Sequence, residues 1–154
     1  MQMAITLPGP PSIRYAHHVS SCYIEGKSGN EIKRSGEAYL NPDGTSRSKV
    51  GKIGGRLVHV EGRVRALKLM KMGEETKNNW ADILIHNMNR LSMASGLSVK
   101  EIYESVQAIV SDAHSVNKGL AAEISGKLGL EWIPGQHYCC IHTVLGWEDG
   151  MVKK

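Results

Sequence analysis

A short apolar run, Ala108-Ile109-Val110, is followed at once by Ser111-Asp112 and then by Val116, Leu120, Ile124 and Leu128, spaced four apart. The run has the composition of a buried strand, and the spacing is one stripe of a helix. A strand that ends on a carboxylate just before a helix constrains a chain strongly. Open α/β sheets place their chemistry at that point, outside the C-terminal ends of the strands. Asp112 is therefore a candidate site residue, and the rest of the chain must supply a sheet for its strand to join.

Upstream segments can supply that sheet. Ala38-Tyr39-Leu40 reads as a short strand running into Asn41-Pro42-Asp43-Gly44-Thr45-Ser46-Arg47. Asn-Pro-Asp-Gly carries the residues of a type I turn, which makes Asp43 a turn residue. The other reading puts Asp43 at the end of a first strand. Residues 52–60 and 63–70 read as a β-hairpin joined at Glu61-Gly62, with a bulge or strand end expected at Leu67-Lys68-Leu69-Met70.

The period then changes to helical over about residues 74–94, where Trp80, Ile83, Leu84, Asn87, Met88 and Leu91 share a face and Gly96 ends the helix. Ser98-Val99-Lys100-Glu101 is a capping box opening a second, short helix. The strand at 106–111 follows, then a helix over about 116–128 ended by Gly129. Trp132-Ile133-Pro134-Gly135 reads as a turn, and 137–144 as a strand passing into a helix. The expected order is three strands joined by hairpins, then alternating helix and strand. That gives an α/β fold with a mixed sheet, antiparallel at first and parallel later, with helices packed on it.

The first 35 residues are weakly patterned. Pro8, Pro10 and Pro11 oppose a helix at the start, and Gly26 to Gly36 reads as a loop or linker. Tyr15-Ala16-His17-His18 could suggest metal. With only Cys22 at ligand spacing, it reads as an exposed polar segment.

With 154 residues, 41% hydrophobic and 22% charged, the chain can bury a real core. It has no Phe, so Ile, Leu, Val, Met and Trp must build that core. No apolar run approaches membrane-spanning length and no signal peptide is expected. Three Cys, two of them adjacent, point to reduced thiols in an intracellular compartment. The net charge of +4 is modest, but between Gly44 and Met72 the cations Arg47, Lys49, Lys52, Arg56, Arg63, Arg65, Lys68 and Lys71 face one acid, Glu61. Such a block can track a phosphate backbone, or it can be a solvated sheet edge guarded by charge.

Three motifs in order carry a family resemblance: Asp43-Gly44-Thr45-Ser46-Arg47, then Ser111-Asp112-Ala113-His114-Ser115-Val116-Asn117-Lys118-Gly119, then Cys139-Cys140-Ile141-His142. Together with the element order they resemble the RNase H-like catalytic domain of hAT-type DNA transposases and the domesticated proteins derived from them. The resemblance covers about residues 38–150. It implies that Asp43 and Asp112 are catalytic acids holding Mg²⁺ or Mn²⁺, and that Cys139 and His142 belong to the family's Cys-x-x-His motif. It offers Arg47, Lys49, Lys52, Arg56, Asn117 and Lys118 as contacts to DNA, and it implies a nuclear location.

The family's third acid lies beyond a large helical insertion, which this chain does not reach. The expectation is therefore a partial, truncated RNase H-like domain over 36–154 after a poorly patterned segment 1–35, associated with DNA, able to self-associate, and without autonomous transposition. An active nuclease would need a third acid, which a partner chain could supply. Zinc at His137, Cys139, Cys140 and His142 is disfavoured by four ligands crowded into six residues. The alternative to all of this is a non-catalytic interaction or scaffold domain in which the acids are structural.

Overall fold

The computed structural model describes residues 9–47, 51–67, 70–112 and 115–139. Its first element is a helix, α1 (Pro10–Ser35), where the sequence predicts a weakly patterned segment and a loop. The prolines do not prevent it. Pro10 sits at the first helical position, where its missing N–H has no helical partner to lose. Lys33 and Arg34 lie in the last turn, and Gly36 closes it in the left-handed region at φ 68°, donating to the Ile32 carbonyl at 2.8 Å.

The buried positions of α1 explain why no apolar stripe announces it. Among the described side chains they are Glu25, Ser28, Gly29, Glu31 and Ile32, at helical spacing but mostly polar or small. Each acid is met by arginine. Glu25 accepts from Arg90 Nε at 2.7 Å and Nη2 at 2.8 Å, and Glu31 accepts from Arg65 Nη2 at 2.6 Å and Nε at 3.1 Å. Such two-pronged, charge-assisted pairs satisfy carboxylates taken out of water. Gly29 permits the close approach beside them. A Cβ there would stand 2.4 Å from Ser95 Cβ and 3.2 Å from the Leu91 carbonyl oxygen.

Helix α2 (Lys77–Ser95) is the other half of this contact. Its stripe of Trp80, Ile83, Leu84, Asn87, Met88 and Leu91 is buried, as the periodicity predicts. Thr76 caps its start by accepting from Asn79 N–H at 3.2 Å, and Gly96 ends it at φ 74°. The short α3 (Val99–Glu104) begins with the reciprocal Ser98–Glu101 capping box. Helix α4 (Leu120–Leu128) follows a single 3₁₀ turn at Ser115–Asn117 and is tied to α3 by Tyr103, whose hydroxyl donates to the Ala121 carbonyl at 2.8 Å. Burial pushes the Tyr103 phenol up to about 12, so it remains a donor.

The strands are β1 (Ala38–Arg47), β2 (Gly51–Val60), β3 (Arg63–Ala66), β4 (Met70–Met72), β5 (Val106–Ser111) and β6 (Gly135–Tyr138). They form one sheet in the order β3-β2-β1-β5-β6, with β4 also paired to β2. The β1–β2, β2–β3 and β2–β4 pairs are antiparallel, and β1–β5 and β5–β6 are parallel. Glu61 and Gly62, at φ 49° and 67°, make the tight β2–β3 turn. The core lies where α2 and α4 meet the sheet, and Ile32 of α1 belongs to it. Among the described residues no helix is long and apolar enough to cross a membrane.

Two outcomes follow. Replacing Gly29 with Ala should destabilise the fold by about 1–2 kcal/mol, because overpacking exceeds the gain in helix propensity. Gly126→Ala in α4, where a Cβ meets nothing within 4 Å, should be neutral or stabilising; chemical denaturation compares the two.

The hydrogen bond and charge of Arg65 hold the Glu31 carboxyl below its ordinary value of 4.5. A lowered folded value contributes stability above the ordinary value and loses it as pH falls through the folded one. The melting temperature should therefore fall below about pH 4.5. In Glu31→Gln it should start lower and fall less over that window, as thermal melts across pH would read.

Candidate functional site

β1 is the strand at which the sheet changes direction, with antiparallel β2 on one side and parallel β5 on the other. The Asn-Pro-Asp-Gly segment lies inside it, paired Asn41↔Leu57, Pro42↔Arg56, Asp43↔Gly55 and Gly44↔Gly54. That corrects the reading of Asp43 as a type I turn residue. The reason a strand tolerates this proline lies in its alternation. Ala38 N–H donates to the Ser105 carbonyl at 2.8 Å, so the nitrogens of residues 38, 40 and 42 all face β5. Proline has no N–H to give there. Pairing of β1 with β5 extends only to Leu40↔Ile109, whereas pairing with β2 continues to Arg47↔Gly51. The missing donor thus falls on the side where the ladder ends.

Three residues beyond Leu40 stands Asp43, and three beyond Ile109 stands Asp112. Carried forward at equal steps, the register brings the two level past the end of the β1–β5 pairing, Asp43 within β1 and Asp112 just after β5. Paired strands lie ~4.8 Å apart, and these two leave that pairing after Leu40↔Ile109. The Asp43 side chain lies outside the described residues, so the backbone register is the basis for this juxtaposition.

Asp112 is half-buried just past β5. The 3₁₀ turn brings Asn117 back to it, and Asn117 Nδ2 donates to Asp112 Oδ1. Asn117 is 7% exposed and is held from the other side as well, its backbone carbonyl accepting from Gln136 Nε2 on β6. Gln136 Oε1 in turn accepts from Ala121 N–H at 3.5 Å, at the start of α4. The buried Oδ1 of Asn117 has no hydrogen-bond partner. An unmatched buried acceptor costs about 1–3 kcal/mol, which a donor or a cation would offset. The Asp112 carboxylate supplies hard oxygens of the kind Mg²⁺ and Mn²⁺ take, and the part of Asn117 that meets it is the Nδ2 donor. Gln136 is the member of this cluster that sequence reasoning did not single out. It stands far along the chain and has only the preceding Pro134-Gly135 strand start as a signal.

The other expected residues scatter. Arg56 is beside Pro42 in the β1–β2 register, and Arg47 and Lys52 are toward the far end of that pair. The side chains of these three, and all of Lys49, lie outside the described residues. Lys118 is exposed next to Asn117. Of the basic block, Arg65 and Arg63 turn to Glu31 on α1. Cys139 is half-buried, and its N–H donates to the Ser111 carbonyl at 2.7 Å, continuing the β5–β6 pairing. His142, Cys140 and His114 lie outside the described residues. On α1, His18 Nε2 is 3.8 Å from Cys22 Sγ on an exposed face. Among the described residues no three His, Cys, Asp or Glu side chains converge as metal ligands.

Comparison with protein-family models gives no match for this chain, and comparison with curated protein sequences gives none either.

Proposed function

We propose that this chain is a transposase-derived RNase H-like domain, associated with nucleic acid and carrying a partial divalent-metal site at Asp43 and Asp112. The observation that supports it most is the β3-β2-β1-β5-β6 order, with the two acids three steps past the last paired residues of adjacent parallel strands. Asn117 Nδ2 donates to Asp112 Oδ1 and fixes that carboxylate at the end of β5. Asp43 and Asp112 would hold Mg²⁺ or Mn²⁺, with Asn117 positioning Asp112. When bound, such ions activate a water or a 3′-hydroxyl and stabilise the leaving oxygen of a phosphodiester. Arg56, whose backbone pairs with Pro42 beside Asp43, and Lys118, exposed next to Asn117, suit the flanking phosphates of a DNA partner. Among the described residues no third acid joins this set, and autonomous transposition is not part of the proposal.

The second reading is a non-catalytic interaction domain. It draws on the lack of three converging ligands among the described residues. Metal binding separates the two. A ligand that binds only the folded state stabilises it by ~2.7 kcal/mol at about a hundredfold excess over Kd, several degrees of melting temperature for a chain of this size. Mn²⁺ should raise the midpoint of the parent protein and leave Asp43→Asn and Asp112→Asn nearly unmoved. An unshifted parent would remove the metal site and leave the interaction domain as the better reading.

A further inference from the structure

At the other end of the sheet from the two acids lies an open groove of about 500 Å³ between α1 and the edge strand β3. Arg63 marks its place: it pairs with Val60, next to the His59↔Tyr39 pair at the start of β1, and Asp43 is four residues further along that strand, ~13 Å away. From α1 the groove takes Tyr23, Lys27, Asn30 and Arg34, at positions i, i+4, i+7 and i+11 on one stripe.

The charge of this groove is set by what its acids already bind. Glu31 forms the floor, 3% exposed and bound by Arg65 and Arg63. Glu61, at the rim, takes Arg34 Nε at 2.6 Å, and Arg34 keeps Nη1 for another acceptor. What faces outward is cationic: exposed Lys27, Arg34 with 68% of its side chain exposed, and Arg63 with 58%. Beside them Tyr23 is 68% exposed, a large aromatic surface without cover from the fold.

We propose that this groove binds a single-stranded segment of nucleic acid, with Lys27, Arg34 and Arg63 on phosphates and Tyr23 stacked on a base. Cationic side chains that follow a backbone and an aromatic on which a base stacks are the two components of sequence-tolerant single-strand binding. An acidic peptide would use the cations and leave the Tyr23 face idle. An open groove suits a polymer passing through better than a small enclosed ligand. The proposal rests on the nucleic-acid-associated reading but concerns a surface remote from Asp43 and Asp112.

The test is fluorescence anisotropy of the full chain with a short labelled single-stranded oligodeoxynucleotide, over a range of salt. Lys27→Gln and Tyr23→Ala sit on the exposed side of α1 and should leave the melting temperature unchanged. Tyr23→Ala should weaken binding about tenfold, in the range of one lost base stack. Lys27→Gln should weaken it and lower the slope of log affinity against log salt by about 0.7, one phosphate contact. If the parent binds and both variants bind equally well, the groove is not the site, while the nucleic-acid reading stands. If the parent does not bind the oligonucleotide at low salt, the groove proposal fails, and the Mn²⁺ shift at Asp43 and Asp112 still decides the reading it rests on. Binding of poly-glutamate in its place would assign the groove to an acidic protein and overturn the proposal.

Discussion

Two carboxylates on one helix, each gripped by an arginine from a different element, hold the N-terminal third of this molecule in place. Glu25 reaches Arg90 on α2, and Glu31 reaches Arg65 on β3. Charges brought out of water are costly, and a pair of this kind adds little net stability over an apolar contact of the same shape. Its effect is on position. An apolar face could slide along α2, whereas the two-pronged pairs Glu25–Arg90 and Glu31–Arg65 each fix one point of α1 against its neighbour. Gly29 sets the interaxial distance between them by giving up its side chain to Ser95. Because α1 leads through Gly36 directly into β1, seating α1 also sets where the central strand enters the sheet.

β1 then does two opposed things along its length. Its first residues pair on both sides and are buried at Ala38 and Leu40. After Leu40 it pairs only with β2. Pro42 accounts for the change, since its nitrogen faces β5 and has nothing to donate. A sheet that loses the ladder between two parallel strands beyond Leu40↔Ile109 leaves room between them, at the point where strand direction reverses. Asp43, Asp112 and Asn117 occupy that end of the sheet, and the basic groove beneath α1 occupies the other. A strand of nucleic acid in contact with both would follow the length of β1.

Much of this was legible residue by residue. The stripe from Trp80 to Leu91, the Ser98–Glu101 capping box, the Glu61-Gly62 turn and the strand at 106–111 are local patterns, and local patterns survive packing. Asp112 stood out for the same reason. Helix α1 was missed because its buried positions are Glu, Ser and Gly, whose burial depends on Arg65 and Arg90 far along the chain. Hydrophobic periodicity cannot report a face completed by ion pairs. The Asn-Pro-Asp-Gly segment reads as a turn by every local rule, and strand pairing on both flanks overrides that preference. Gln136 was invisible because only the β5–β6 pairing brings it to Asn117.

The central claim is that Asp43 and Asp112 stand side by side across the gap between β1 and β5. The most direct measurement is oxidative cross-linking of the double variant Asp43→Cys, Asp112→Cys, with the linked peptides mapped by mass spectrometry. A disulfide needs Cα atoms within about 7 Å. The register predicts rapid formation of a 43–112 bond in the folded protein. A folded double variant that yields no 43–112 bond would contradict the juxtaposition, and with it the shared metal site.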